Sequence, residues 1–391
     1  MAEKNLDFDT VIERKNTKSL KYDFAGKRGM PEEILPLWVA DMDFKTSSYI
    51  LEALEKIIQH GIFGYSESEE QYFEALQGWM KRRYDWEVEE KWLLKTPGIV
   101  FALALAIKAY TKEQEAVLIQ QPVYYPFSEV IADNNRRLIS NELVQDENGY
   151  YHIDFEDFEN KIVKENVKLF ILCNPHNPVG RVWTKEELTK LGDICLKHKV
   201  IVISDEIHAD FALKRKHTVF TNIKKEYQEI GIVCTSPSKS FNIAGLQVSN
   251  IFIANPELRK RFRHQLNAAG YSQLNLPGLV ACEAAYRYGD EWLDAVVDYI
   301  RANAAYTEDF LKERLPKVKM TQIEGTYLVW LDFKAYGLTD KELDKRMIHE
   351  AGLWLDSGHI FGKAGEGFQR INIACPRQIL TQALERLAAV F

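Results

Sequence analysis

Residues 231–254, GIVCTSPSKSFNIAGLQVSNIFIA, decide the fold. Two short apolar runs, GIVCTS (231–236) and VSNIFIA (248–254), enclose a polar turn carrying Ser236, Ser238 and Lys239. Runs of this length, rich in β-branched residues, suit strands covered on both faces. Toward the N-terminus, VIVIS (200–204), KLFILC (168–173) and AVLIQ (116–120) repeat the type. Helical segments lie between them. Thr184 and Glu187 have capping-box spacing and predict a helix to about Lys197. An apolar helix over 99–110 follows Thr96-Pro97-Gly98. Further out, 49–60 carries apolar residues at helical spacing and stops at Gly61, and a second helix spans about Glu69 to Arg83. The alternation predicts an α/β domain with a mostly parallel sheet over 46–285.

After Pro277 the pattern changes. A long helical stretch over about 290–314, a strand TYLVWLDF (326–333), a helix near 340–350 and a strand RINIA (370–374) predict a smaller α+β domain over 286–391. Residues 1–45 hold their own apolar segment, LPLWVA (35–40), and are expected to pack with that smaller domain. No internal repeat or Gly/Pro/Ser-rich linker separates the parts, so the domains are expected to interleave.

The bulk properties exclude several partners. The net charge is −7 over 391 residues, which argues against nucleic acid or an acidic membrane surface. The one basic cluster, 259–264, is expected to be a solvated helix face. Five cysteines with no CxxC pair read as reduced thiols rather than a disulfide framework or zinc site. The first sixteen residues hold no apolar leader. The longest apolar run, Val100 to Ile107, is far short of the roughly 20 residues that span a bilayer. A cytoplasmic protein is expected.

In an open parallel sheet, ligands bind beyond the carboxyl ends of the strands. Asp205 follows VIVIS, Ser236, Ser238 and Lys239 follow GIVCT, and Asn174 and Asn177 follow KLFILC. One acid, one lysine, two asparagines and two serines therefore converge on one edge. Pyridoxal 5′-phosphate (PLP) needs such a set: an amine for its aldehyde, an acid at the pyridine nitrogen, and donors for its phenolate and phosphate. Thr96-Pro97-Gly98, opening a helix, supplies an N-terminus of the kind that binds phosphate. The glycine-rich Gly362-x-x-Gly365-x-Gly367 precedes a strand, opposite to a dinucleotide fingerprint, and reads as a loop near the substrate site.

The spacing of NPHNPVG (174–180), SDEIH (204–208) and SPSKSFNIAGLQ (236–247) resembles fold-type I PLP enzymes, the aspartate aminotransferase superfamily. More narrowly, PLWVADMDF (36–44), HGIFGYS (60–66), PVYYPF (122–127), NPHNPVGRVWT (174–184), SKSFNIAGLQ (238–247) and RINIACPR (370–377) resemble its cystathionine β-lyase/C–S lyase branch (MalY/PatB type). The likeness runs from about residue 5 to the C-terminus.

That resemblance implies roles position by position. Lys239 is the Schiff-base lysine that also moves the substrate Cα proton, and Asp205 is the pyridinium partner. Asn177 donates to the phenolate oxygen, and Tyr124 stacks on the ring, with Tyr125 the alternative. Gly98, Ile99, Ser236 and Ser238 form the phosphate cup, and Tyr65 reaches the phosphate of a neighbouring subunit in a homodimer. Arg370 grips the substrate α-carboxylate. Two positions depart from the aminotransferase pattern. Gln247 stands where a phosphate-binding arginine is usual, and His208 stands where a tyrosine is usual, its role open. Structural alternatives stand beside these: Tyr65 as merely buried, Arg370 as a plain surface ion pair, His176 and His208 as satisfied structural histidines. The reading is β-elimination from L-cystathionine or L-cysteine to a thiol, pyruvate and ammonia. An aminotransferase is the alternative, and a regulatory binding protein on the same fold a third.

Overall fold

A computed structural model describes residues 6–391; residues 1–5, with which the 1–45 segment begins, lie outside the described residues. Seven strands form the large sheet: β1 (Leu93–Thr96), β2 (Ala116–Ile119), β3 (Arg137–Ser140), β4 (Leu169–Cys173), β5 (Ile201–Asp205), β6 (Gly231–Thr235) and β7 (Ser249–Phe252). Their order is β1-β7-β6-β5-β4-β2-β3. Only β7 runs against its neighbours. β2, β4, β5 and β6 carry the continuous apolar runs, and nearly every residue in them is buried. The two edge strands were not visible as such runs, because β1 alternates in burial and β3 is half-exposed.

Helices cover both faces. Thr184 closes its capping box with Glu187 and opens Lys185–His198. The apolar helix Ile99–Tyr110 packs against the sheet through Leu103, Ala106 and Ile107. Leu276–Tyr288, a helix that the sequence pattern did not single out, packs against Ser48–His60 and Glu70–Tyr84. The long helix Asp290–Arg314 then leads into a four-stranded antiparallel sheet. Its strands are β8 (Lys319–Met320), β9 (Leu328–Asp332), β10 (Asp356–Ser357) and β11 (Phe368–Asn372), ordered β8-β9-β11-β10. The strand expected over 370–374 thus begins two residues earlier.

One N-terminal segment joins the two sheets. Leu35–Pro36 pairs in parallel with Leu353–Trp354, and Trp38 stacks on Trp354 at 4.4 Å between ring centroids. Asn372 on β11 donates to the carbonyls of Val39 and Asp41, both at 2.7 Å. From the other side, Asn242 donates to the carbonyls of Met42 and Phe44 and accepts from the Met42 N–H. Lys21, almost wholly buried, pairs with Asp43 at 2.8 Å, and Arg14 bridges Asp41 and Asp43. Among the described residues no helix is long and apolar enough to cross a membrane, and all five cysteines are buried free thiols.

Candidate active site

Five neighbouring strands end, and the reversed β7 begins, at one edge of the large sheet. That edge is where the expected residues meet. A cavity of about 190 Å³ opens there, lined by Lys239, Asp205, Asn177 and Tyr124 together with Gly98, Ile99, Ser238 and His208. Lys239 sits in a single helical turn, Pro237–Ser240, capped by Ser236. Its Nζ donates to the carbonyl of Ala40 at 2.6 Å, an acceptor shared with the Tyr327 hydroxyl at 2.9 Å. Burial, with the nearby Arg370 charge, lowers the Lys239 amine to about 8, against the opposing pull of Asp41 and Asp205. A fraction of the amine is therefore neutral and nucleophilic near neutral pH.

Asp205 ends β5. Burial raises its carboxyl to about 7, with neighbouring Glu206 adding to the effect. Among the described residues the carboxylate accepts one hydrogen bond, from the Ile207 N–H, at 3.2 Å. An acid so weakly partnered in a buried site lacks a cation or strong donor, and a protonated ring nitrogen would be one.

Asn177 follows β4, and its carbonyl takes the Tyr124 N–H at 3.0 Å, which fixes the two side by side. The Asn177 Oδ1 accepts from Arg370 at 3.1 Å, leaving the amide nitrogen as a donor toward the cavity. Burial holds the Tyr124 phenol protonated. Gly98 precedes Ile99–Tyr110 with extended backbone, and a Cβ there would meet nothing within 4 Å. The space beside this helix start is open, where backbone N–H groups favour an anion.

Ser238 lines the cavity, but the Ser236 hydroxyl is engaged elsewhere, with Ser238 and with the Val248 carbonyl. Ser236 thus holds Ser238 in place. His208 lies at the cavity wall, its Nδ1 buried without a partner, and burial lowers it to about 3, so it is neutral. His176 is a core residue: its Nε2 bonds the Pro122 carbonyl at 2.9 Å and burial lowers it to about 4. Gln247 is exposed in a left-handed turn and does not line the cavity.

Arg370 comes from the other sheet, on β11. Besides Asn177 it donates to the Trp38 carbonyl at 2.7 Å and to Asp356, and it lies over the Phe361 ring at 4.9 Å. Its Nε is buried without a partner. Phe361 ends a turn before the glycine loop, and its carbonyl binds the Val123 N–H at 3.1 Å, bringing that loop beside the site. Tyr65 is outside the cavity of its own chain and fully exposed.

Four contributors escaped the sequence reading: the Ala40 carbonyl, Tyr327, Ser249 and Asp356. Ser249 lines the cavity with a buried hydroxyl that has no partner. The one signal for it was its place at the start of a strand, which marks this edge only if that strand is reversed. Taken together, the donor set fits PLP: an amine of lowered pKa, an under-partnered carboxyl, a free amide donor, and an open helix start flanked by hydroxyls.

The chain belongs to the aminotransferase class I and II family, which it matches over residues 32–387. It is 44% identical to the cystathionine beta-lyase PatB of Bacillus subtilis, covering 98% of this chain and 99% of that protein. Among solved structures it is similar to cystalysin from Treponema denticola, which contains a pyridoxal 5′-phosphate cofactor, with TM-score 0.95, 40% identity and 98% of each chain covered. It is also similar to the PLP-bound C–S lyase from Staphylococcus hominis, with TM-score 0.91, 35% identity, and 99% of this chain and 98% of that one covered.

Proposed function

We propose that this chain is a PLP-dependent carbon–sulfur β-lyase that cleaves L-cystathionine or L-cysteine-type substrates to a thiol, pyruvate and ammonia. The observation that carries the reading is the meeting of Lys239, Asp205 and Arg370 at one cavity in a chain so similar, end to end, to a cystathionine β-lyase. When bound, PLP supplies a conjugated sink for negative charge developing at the substrate Cα.

The chain's own residues do the rest. Lys239 would hold the cofactor, and its amine, when free, would take the substrate Cα proton. An amine near 8 is well matched to that task at neutral pH. Asp205 keeps the ring nitrogen protonated. Asn177 donates to the phenolate, Tyr124 covers the ring, and the N–H groups of Gly98 and Ile99 with Ser238 hold the phosphate. Arg370, with its unpartnered Nε, takes the substrate α-carboxylate. His208 stays neutral at the wall, where it can orient a polar group without adding charge.

The active unit in this reading is a homodimer. Ile58, Ile62, Phe63 and Tyr65, close in sequence and each more than 60% exposed, are apolar side chains that a second copy would cover while bringing Tyr65 to the partner's phosphate. The same reading divides the chain into a 46–285 large domain and a 286–391 small domain, with 1–45 packed on the latter. It places the protein in the cytoplasm, where five buried free thiols stay reduced. The test is to give purified holoenzyme L-cystathionine without any keto acid. Pyruvate, ammonia and homocysteine should accumulate over many turnovers. Turnover that requires 2-oxoglutarate and yields no free ammonia would instead establish an aminotransferase.

A further inference from the structure

Arg370 does not await its substrate as a bare cation. β10 and β11 are antiparallel, with Asp356 directly opposite Arg370, so both side chains leave the same face of the sheet. The Arg370 Nη2 donates to the Asp356 carboxylate, and the two side chains are only 3% and 7% exposed. The other groups on the guanidinium are neutral: the Asn177 amide oxygen, the Trp38 carbonyl and the face of Phe361. Among the described residues, Asp356 forms an ion pair with Arg370 alone. Burial raises the Asp356 carboxyl and contact with Arg370 draws it back toward ionisation. The chemistry described above makes no use of this acid.

We propose that Asp356 is a specificity-determining residue of the lyase site, cancelling the charge of Arg370 so that the subsite admits zwitterionic amino acids and turns away keto acids. This rests on the lyase reading for its biological sense. A substrate carboxylate that reaches Arg370 must also approach Asp356, and the two anions repel strongly where little water screens them. An α-amino acid brings an ammonium that offsets the repulsion. Pyruvate brings none, and 2-oxoglutarate adds a second negative charge. The ion pair therefore favours release of pyruvate as a product. It also disfavours the keto acids that a transaminase must bind as second substrates.

The test measures binding to the PLP holoenzyme by calorimetry, with 2-oxoglutarate, pyruvate and glycine as probes. Asp356→Asn removes the charge with little change of shape. It should tighten 2-oxoglutarate at least tenfold and pyruvate several-fold, while glycine changes by less than threefold. Asp356→Glu should return the wild-type order. An Asp356→Asn protein that keeps its cofactor absorbance and thermal midpoint, yet shows the wild-type ratio of keto-acid to glycine affinity, overturns the proposal. A second measurement needs no variant. On the wild-type protein, the neutral amide pyruvamide should bind within about threefold of pyruvate. A preference for pyruvate above thirtyfold would mean that Arg370 acts as an uncancelled cation. None of these affinities depends on elimination, so failure of the lyase reading would appear separately, in the cystathionine assay.

Discussion

The two sheets furnish the site in opposite ways. At the edge of the large sheet, Lys239 and Asp205 have almost no protein partners, one acceptor for the amine and one donor for the acid. On the small sheet, Arg370 donates to three groups and lies on an aromatic ring. Burial without partners draws the amine down and the acid up until both titrate near neutrality. Burial with many partners fixes the guanidinium in place. In the proposed lyase, the groups that change protonation are thus left under-satisfied, and the group that recognises is tied down.

Removing the least-partnered group should do the most damage. Lys239→Ala should lose turnover by at least about a thousandfold and lose the visible absorbance of the bound cofactor, since attachment and general-base action go together. Pyruvate release and absorption spectra read both. A variant that still yields a lysine-linked adduct on borohydride reduction would show that the wrong lysine is assigned.

Arg370→Ala tests the opposite pole. It should cost about a hundredfold in kcat/KM, mostly through KM, while the cofactor absorbance is unchanged, because the small sheet recognises and does not carry the cofactor. A lost cofactor band would mean that the two regions are not so divided.

A milder effect is expected at Tyr65, which the proposed homodimer brings to the partner's site. Tyr65→Phe should weaken PLP affinity by about tenfold, the scale of one hydrogen bond to a charged group. Hybrid dimers of Tyr65→Phe and Lys239→Ala subunits should keep roughly half the wild-type activity, since one site carries both lesions and the other neither. At PLP concentrations too low to fill a Tyr65→Phe site, loss of that remaining half would place Tyr65 in its own subunit's site.

The smallest effect is one of pH. Uptake of PLP by the apoprotein needs the neutral Lys239 amine, so its rate should rise with pH and level off just above about 8. Stopped-flow absorbance across pH 6 to 10 reads this. A rise continuing to the pH of an ordinary lysine would mean that burial does not depress this amine.

The buried centre of the large sheet was legible because β2, β4, β5 and β6 announce themselves as unbroken apolar runs. The edges were not: Leu93–Thr96 and Arg137–Ser140 keep contact with solvent and mix polar with apolar residues. β11 was recognised but begun two residues late, since Gln369 is buried in the strand although polar. In the site, Lys239, Asp205 and Asn177 could be placed because each follows its strand directly. Asp356 could not, because only strand register sets it opposite Arg370, and register is not written in either strand alone. Ala40 acts through its carbonyl, which every residue possesses and no side-chain motif reveals.

That carbonyl belongs to a seam sewn from both sides. Lys239 and Asn242 stitch residues 40–44 to the large sheet's edge, while Tyr327, Arg370 and Asn372 stitch 38–41 to the small one. The segment gives mainly carbonyl oxygens to these stitches, so its own side chains can vary without loosening them. The two halves of the site cannot drift apart unless this thread is cut or pulled free, and Arg14 and Lys21 knot its near end through Asp41 and Asp43. The alignment of Lys239 with Arg370 is therefore held by tailoring within the first 44 residues, far in sequence from both.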